Sequence, residues 1–318
     1  MTQYEKKALW EENIPFNSSR SKYDDLVLTK APLPILYFNL ARWIFGKKVM
    51  KDNHGHDDFV DRQVIQKGRA RETYEDCPMI TPYIVPDCKT SVVIAPGGGF
   101  CDRTDKQEGS DVAAILNSHG ISAFVVEYRL EPYRFPIPCL DIQRAVRWVR
   151  HHAVQYGVPK DSVGVMGFSA GGYAVAGAAI LLGDSPVSAE GYIPDAIDEE
   201  KGMPDYVCPI YPVVSFDVNP CMLANLLGPE FYTDAAKRRQ WQEDYNLSKQ
   251  IHRAEDIPFF LAYGTKDPLG GFEEFAEKLN ERPTQNHVLV LKGATHGFIL
   301  FKKWAGWWDE CISWIKGQ

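Results

Sequence analysis

No stretch of this 318-residue sequence reaches the roughly 18 consecutive apolar residues that a membrane-spanning helix needs, so a bilayer partner is not expected. The seven cysteines are odd in number and scattered, with no C-x-x-C pair. That pattern excludes a zinc ribbon or a disulfide framework and suits reduced thiols. Basic blocks are also missing. With 42 acidic against 35 basic residues the formal charge is −7, a balance that does not favour nucleic acid or anionic lipid. Neither G-x-G-x-x-G nor a P-loop pattern occurs at the glycine-rich turn discussed below, which argues against a phosphate cradle there. No apolar signal core follows Met1-Thr2-Gln3-Tyr4-Glu5-Lys6-Lys7, and the location expected from this is cytoplasmic. His54-Gly55-His56-Asp57-Asp58 has metal-compatible residue types but reads as a solvated loop, since ligands want a rigid scaffold. No metal and no organic cofactor are expected.

What is present is an apolar fraction of 45%, enough for a sizeable core, and an alternation of strand and helix patterns from about residue 79. Strands are expected near 80–85, 91–95, 122–128, 162–167, 207–211, 258–263 and 287–291. Helices are expected near 107–119, 139–156, 170–182, 272–281 and 301–316. This order predicts an α/β fold, with a mostly parallel central sheet and helices on both faces. Trp304, Trp307, Trp308 and Trp314 recur at helical spacing and read as core packing. Residues 184–205 read as an exposed excursion. Residues 213–250 read as an insertion whose Phe216, Leu223, Leu226, Leu227, Phe231 and Trp241 line a pocket or form a small core of their own.

Three motifs carry chemistry. Gly167-Phe168-Ser169-Ala170-Gly171 fits G-x-S-x-G between an apolar strand and a good helix former. A serine on such a tight turn has its hydroxyl thrust out at the end of the sheet. Serine needs a base, and the base needs an orienting acid. His296, on the loop after the strand His287–Leu291, is the candidate base. Asp267, on the loop after Pro258–Tyr263, is the candidate acid. Glu255 and Asp256 are alternatives, but they precede that strand. The third motif is Val92-Val93-Ile94-Ala95-Pro96-Gly97-Gly98-Gly99-Phe100, a strand running into glycines. Backbone N–H groups of Gly98, Gly99 and Ala170 are the candidate donors to an oxyanion. Phe100, Arg103, Tyr173, Phe216 and Phe298 are the candidate substrate contacts. Arg129 and Arg134 follow a strand end; Arg129 reads as structural. Cys101 adjoins the glycine turn without a base partner, so no catalytic role is expected of it.

The order Ser, Asp, His together with PGGGF at Pro96–Phe100, Glu127-Tyr128-Arg129-Leu130, Asp141–Arg147, GFSAGG at Gly167–Gly172, Tyr211–Ser215 and Thr295–Phe298 resembles the α/β-hydrolase serine esterases. The resemblance runs from about Met79 to the C-terminus. It is strongest to the acetylxylan-esterase-like branch of carbohydrate esterases, related to the hormone-sensitive-lipase-like esterases. Pro96 stands where lipase-like relatives usually carry His, which points to the carbohydrate branch. The loop Asp267-Pro268-Leu269-Gly270-Gly271 departs from the family pattern.

The resemblance implies a catalytic domain over 76–318 and an N-terminal extension over 1–75. Ile35–Phe45 in that extension is an apolar stretch expected to dock on the body, to cap the pocket, or to join two subunits of a homo-oligomer. It also implies a serine carboxylic-ester hydrolase acting on a small-molecule ester with a short, acetyl-like acyl group and a carbohydrate-like alcohol. Two other readings use the same residues. One is an amidase, formamidase or peptidase on the same fold. The other is a non-catalytic small-molecule-binding homologue, which would have no need of all three of Ser169, Asp267 and His296.

Overall fold

The computed structural model describes residues 2–11, 13–16, 77–100, 103–130, 133–215, 225–228, 230 and 234–318. Nine strands form one sheet among them. They are β1 (Thr2–Gln3), β2 (Lys7–Ala8), β3 (Met79–Ile84), β4 (Ser91–Ala95), β5 (Ser122–Glu127), β6 (Val163–Phe168), β7 (Val207–Ile210), β8 (Phe260–Gly264) and β9 (His287–Leu291). The order across the sheet is β1-β3-β5-β4-β6-β7-β8-β9, with β2 also on β3. From β5 to β9 the pairing is parallel, whereas β3 runs antiparallel to β5. The inner strands β4 and β6 are buried at every position. Helices cover both faces, and so both faces of these strands must be apolar or small.

The principal helices are α1 (Asp111–Ser118), α2 (Ile137–His151), α3 (Ala170–Gly177), α4 (Phe272–Asn280) and α5 (Trp307–Ile315). Two hydrophobic layers result. One packs α2, α3 and α4 against one face of the sheet, through residues such as Val146, Val175 and Phe275. The other packs α1 and α5 against the opposite face, through Leu116, Trp307 and Ile312.

Several boundaries differ from the sequence reading, most clearly in three helices. The helix expected over 107–119 is a π-helical turn, Asp105–Ser110, followed by α1. The helix expected over 139–156 stops at His151, and a further turn ends at Gly157 in the left-handed region (φ 63°). The helix expected over 301–316 begins only at Trp307, because two 3-10 turns, Phe298–Leu300 and Lys302–Trp304, precede it. The excursion over 184–205 is not loose. Arg144 pairs with Asp195 and Asp198, and Arg150 with Asp205. Asp195 also caps the turn Ala196–Glu199. In the insertion, Leu226 and Leu227 are buried in the main core rather than in one of their own, with Trp241 packed against it. Phe216, Leu223 and Phe231 lie outside the described residues, as do Ile35–Phe45, His54, His56 and Cys101.

An extension over all of 1–75 is expected from the sequence, yet residues 2–11 and 13–16 join the body. β1 and β2 extend the sheet through β3. Leu9 and Trp10 are buried, and Trp10 Nε1 donates to Asp141 Oδ1 at 2.8 Å. Arg129 Nη1 donates to the Pro15 carbonyl at 2.6 Å. Arg129 also grips Asp141 bidentately, Nε to Oδ2 at 2.9 Å and Nη2 to Oδ1 at 2.7 Å, with both side chains fully buried. Arg129 is therefore structural, as its sequence suggested. Removing one member of such a pair leaves a buried charge unmatched, at about 3–5 kcal/mol. Arg129→Ala is expected to lower the denaturation free energy by about that amount, read from urea unfolding. An unchanged unfolding midpoint would show that the pair does not hold the N-terminal strands to the body.

Candidate active site

The serine turn is built by close approach. A Cβ placed on Gly167 would lie 2.2 Å from the Gly171 carbonyl oxygen, and one on Gly171 would lie 2.1 Å from the Ala95 oxygen. Only glycines let β6, α3 and β4 meet this tightly. Between them Ser169 is held at φ 53°, ψ −116°, a conformation costly for a side chain and sustained by its surroundings. Its N–H donates to the Ile210 carbonyl at 3.0 Å and its carbonyl accepts from Val213 N at 3.1 Å. The result fixes Oγ at the C-terminal edge of the sheet, where ligands of open α/β sheets bind.

The two loops that bring the other residues are stitched to each other. Thr265 N donates to the Leu291 carbonyl at 3.1 Å and Lys266 N to the Ala294 carbonyl at 2.9 Å. Gly293 N donates to Thr265 Oγ1 at 2.8 Å. The loop after β8 thus lies beside the loop after β9. His296 Nδ1 lies 2.8 Å from Asp267 Oδ2, and His296 Nε2 lies 2.9 Å from Ser169 Oγ. The Asp267 side chain is fully buried, and its other oxygen, Oδ1, accepts from Leu269 N at 2.9 Å. The atypical continuation of that loop therefore supplies a backbone donor to the acid. With a carboxylate on Nδ1, the imidazole carries its proton there and presents a lone pair to the serine hydroxyl, the arrangement of an activated nucleophile. Glu255 and Asp256 lie before β8, away from this edge.

The glycine turn passes beside the serine: a Cβ on Gly97 would be 2.9 Å from Ser169 Cβ. Gly98 and Gly99 follow at φ 145° and 66°, and Asn225 Nδ2 donates to the Gly99 carbonyl at 2.8 Å. Ala170 opens α3, whose first-turn N–H groups have no acceptor within the helix.

The residues expected to touch substrate fare differently. Phe100, Tyr173 and Phe298 are fully buried. Phe100 meets Tyr173 edge to face at 5.9 Å, and the Tyr173 hydroxyl donates to the Tyr245 carbonyl at 2.9 Å. Phe298 packs on Tyr211 at 5.0 Å. All three underlie the site and present no surface to a substrate. Arg103 likewise turns away from the expected substrate position, because its guanidinium is committed to Asp105 Oδ1 at 3.0 Å and the Tyr128 carbonyl at 2.7 Å. Arg134 stays half-exposed and pairs with Glu230 at 3.2 Å. Phe216 lies outside the described residues.

Two residues of the site escaped the sequence reading. Tyr211, left-handed at φ 36°, sets its ring edge-on to His296 at 4.9 Å. Its hydroxyl donates to Glu108 Oε1 at 2.8 Å, and Glu108 Oε2 accepts from Gly97 N at 2.7 Å. Burial pushes the Glu108 carboxyl above its usual range; hydrogen bonds from Tyr211, Gly97 and Thr104 and the nearby His296 oppose this without cancelling it. Glu108 sits in the charged stretch Asp105-Lys106-Gln107-Glu108, at the start of the helix expected over 107–119, where nothing local marks a buried carboxyl. Among the described residues, no cluster of His, Cys, Asp and Glu could hold a metal ion, and no helix is long and apolar enough to cross a membrane.

A family model for the alpha/beta hydrolase fold matches residues 92–300, and the chain belongs to that family. The chain is 32% identical to an acetylxylan esterase of Xylanibacter ruminicola over 238 residues, covering 71% of this chain and 45% of that protein. It is 32% identical to endo-1,4-beta-xylanase B of Butyrivibrio fibrisolvens over 234 residues, covering 69% of this chain and 34% of that one. The chain thus spans less than half the length of either. Among solved structures, an acetyl ester-xyloside bifunctional hydrolase from Caldicellulosiruptor lactoaceticus superposes with a TM-score of 0.64 at 27% identity. That match covers 76% of this chain and 88% of the other.

Proposed function

We propose that the chain is a serine carboxylic-ester hydrolase that removes short acyl groups, acetyl above all, from hydroxyl-rich alcohols of the carbohydrate type. The observation that carries the reading is His296 bridging Ser169 Oγ and Asp267 through its two ring nitrogens, at 2.9 and 2.8 Å. Ser169 attacks the ester carbonyl as His296 Nε2 takes its proton. Asp267 holds the tautomer and stabilises the imidazolium. N–H groups of Gly98, Gly99 and Ala170 receive the oxyanion. His296 then returns the proton to the leaving alcohol, and water repeats the sequence on the acyl-enzyme.

The acetyl and carbohydrate preference is supported by the relatives, one named an acetylxylan esterase and one an acetyl ester-xyloside hydrolase. It draws less on the arginines near the site, since Arg103 and Arg129 are fully engaged and only Arg134 keeps an exposed face. Acyl-chain selectivity tests the reading, because each methylene refused by a pocket is worth about 1–3 kcal/mol. Values of kcat/KM are expected to fall from acetyl through butyryl to octanoyl p-nitrophenyl esters, with acetate released from acetylated xylo-oligosaccharides. A rise towards octanoyl without acetate release would place the chain among lipase-like enzymes, and turnover of amides or formyl-kynurenine alone would make it an amidase.

A further inference from the structure

Glu108 is a buried carboxyl outside the Ser169–His296–Asp267 chain, yet it touches both halves of the site. Its Oε2 accepts the Gly97 N–H at 2.7 Å and its Oε1 accepts the Tyr211 hydroxyl at 2.8 Å. The Gly97 carbonyl is held from the other side, by Thr104 N at 2.8 Å and Thr104 Oγ1 at 3.1 Å. The peptide groups on either side of Gly97 are therefore both fixed. There is no slack around this residue. A Cβ on Gly97 would meet Glu108 Oε2 and the Phe168 carbonyl oxygen at 2.7 Å each, as well as Ser169 Cβ at 2.9 Å. Tyr211 in turn forms a wall for the His296 ring at 4.9 Å, with Phe298 and Phe168 packed against its other sides. Glu108 reaches this position from the π-helical turn Asp105–Ser110, an irregularity that is frequent at functional sites.

A buried carboxyl is costly unless its oxygens are matched, and an apolar side chain would fill the same space without that cost. The bonds that its carboxyl accepts from the Gly97 N–H and the Tyr211 hydroxyl, with the Thr104 hydroxyl beside them, explain its presence. We propose that Glu108 is a positioning residue whose carboxyl, together with the Tyr211 hydroxyl, braces the glycine turn and the His296 ring in one register. It aims the Gly98 and Gly99 N–H groups at the oxyanion while keeping Nε2 on the serine. This role rests on the esterase reading above, but it concerns a residue that reading does not use. Because the brace acts on groups that bind the transition state rather than the ground state, its loss should appear in kcat and not in KM.

The test uses the full chain and four variants: Glu108→Ala, Glu108→Asp, Glu108→Gln and Tyr211→Phe. The readouts are kcat and KM on p-nitrophenyl acetate and the rate at which a fluorophosphonate labels Ser169. Wild-type turnover, measured alongside, reports separately on the esterase reading. Losing the bonds to Gly97 and Tyr211 in the alanine variant is expected to lower kcat about 100-fold, comparable to removing one oxyanion donor, with KM within about threefold. The labelling rate should fall in parallel. Aspartate is one methylene too short to reach both partners and is expected to lose about tenfold or more. Glutamine can accept from Gly97 N and donate to the Tyr211 oxygen, so it should recover kcat to within about tenfold of wild type. Tyr211→Phe keeps the Gly97 bond and is expected to fall between the alanine variant and wild type. Where the alanine variant does not fold, the contrast of aspartate with glutamine carries the test. A folded alanine or aspartate variant with wild-type kcat would overturn the proposal, as would a loss confined to KM or a glutamine variant no better than alanine.

Discussion

Ser169→Ala is expected to reduce ester turnover by about 10³-fold or more while leaving the fold intact, and His296→Ala by a similar factor. The two losses should match because in the proposed mechanism the residues act as a unit. Without the hydroxyl there is no nucleophile, and without Nε2 at 2.9 Å the hydroxyl keeps its proton. The double variant should therefore be scarcely worse than either single one. Neither change should unfold the protein. Ser169 is strained at φ 53°, so alanine inherits the strain without adding to it, and His296 is partly exposed. Steady-state kinetics with thermal unfolding as control decides the matter. Folded Ser169→Ala with near-wild-type turnover would mean that some other group performs the attack.

Asp267→Asn is expected to cost about 10³–10⁴-fold in kcat. Asparagine fits the space, but its amide can donate to Nδ1 and so stabilise the tautomer that puts the proton on Nε2, where it blocks general-base action. The geometry makes the substitution sensitive, since Oδ2 is 2.8 Å from Nδ1 and Oδ1 is already taken by Leu269 N. Asp256→Asn is the paired control, because Asp256 lies before the five-residue strand β8 and Asp267 after it. The control should keep wild-type kcat. The reverse outcome, Asp267→Asn active and Asp256→Asn inactive, would move the acid to the other side of that strand.

Local signals made much of this site legible in the sequence. The serine turn was readable because its glycines, its strand and its helix are contiguous, and the steric demand lies within a few residues. His296 and Asp267 were readable because both follow short apolar strands late in the chain. The inner strands were readable for the same reason, being continuous apolar runs. What stayed hidden depends on pairings between distant segments. Glu108 meets Tyr211 across 103 residues, and nothing in a stretch of Asp, Lys, Gln and Glu announces a buried carboxyl. β1 has only two residues, too few to show a period, and pairs with residues 83 and 84. Nor does sequence say which way a side chain near the site faces. Phe100, Tyr173, Phe298 and Arg103 are near the glycine turn, the serine turn or the His296 loop in the chain but turn into the body, where they support those loops.

Covalent labelling addresses the central assignment most directly. The full chain is treated with a fluorophosphonate and the modified peptide is located by mass spectrometry, with loss of p-nitrophenyl acetate hydrolysis followed in parallel. A single adduct on Ser169, forming in step with the loss of turnover and absent from His296→Ala over the same time, is the predicted result. An adduct on another residue, or full hydrolysis by a protein already labelled at Ser169, would contradict it.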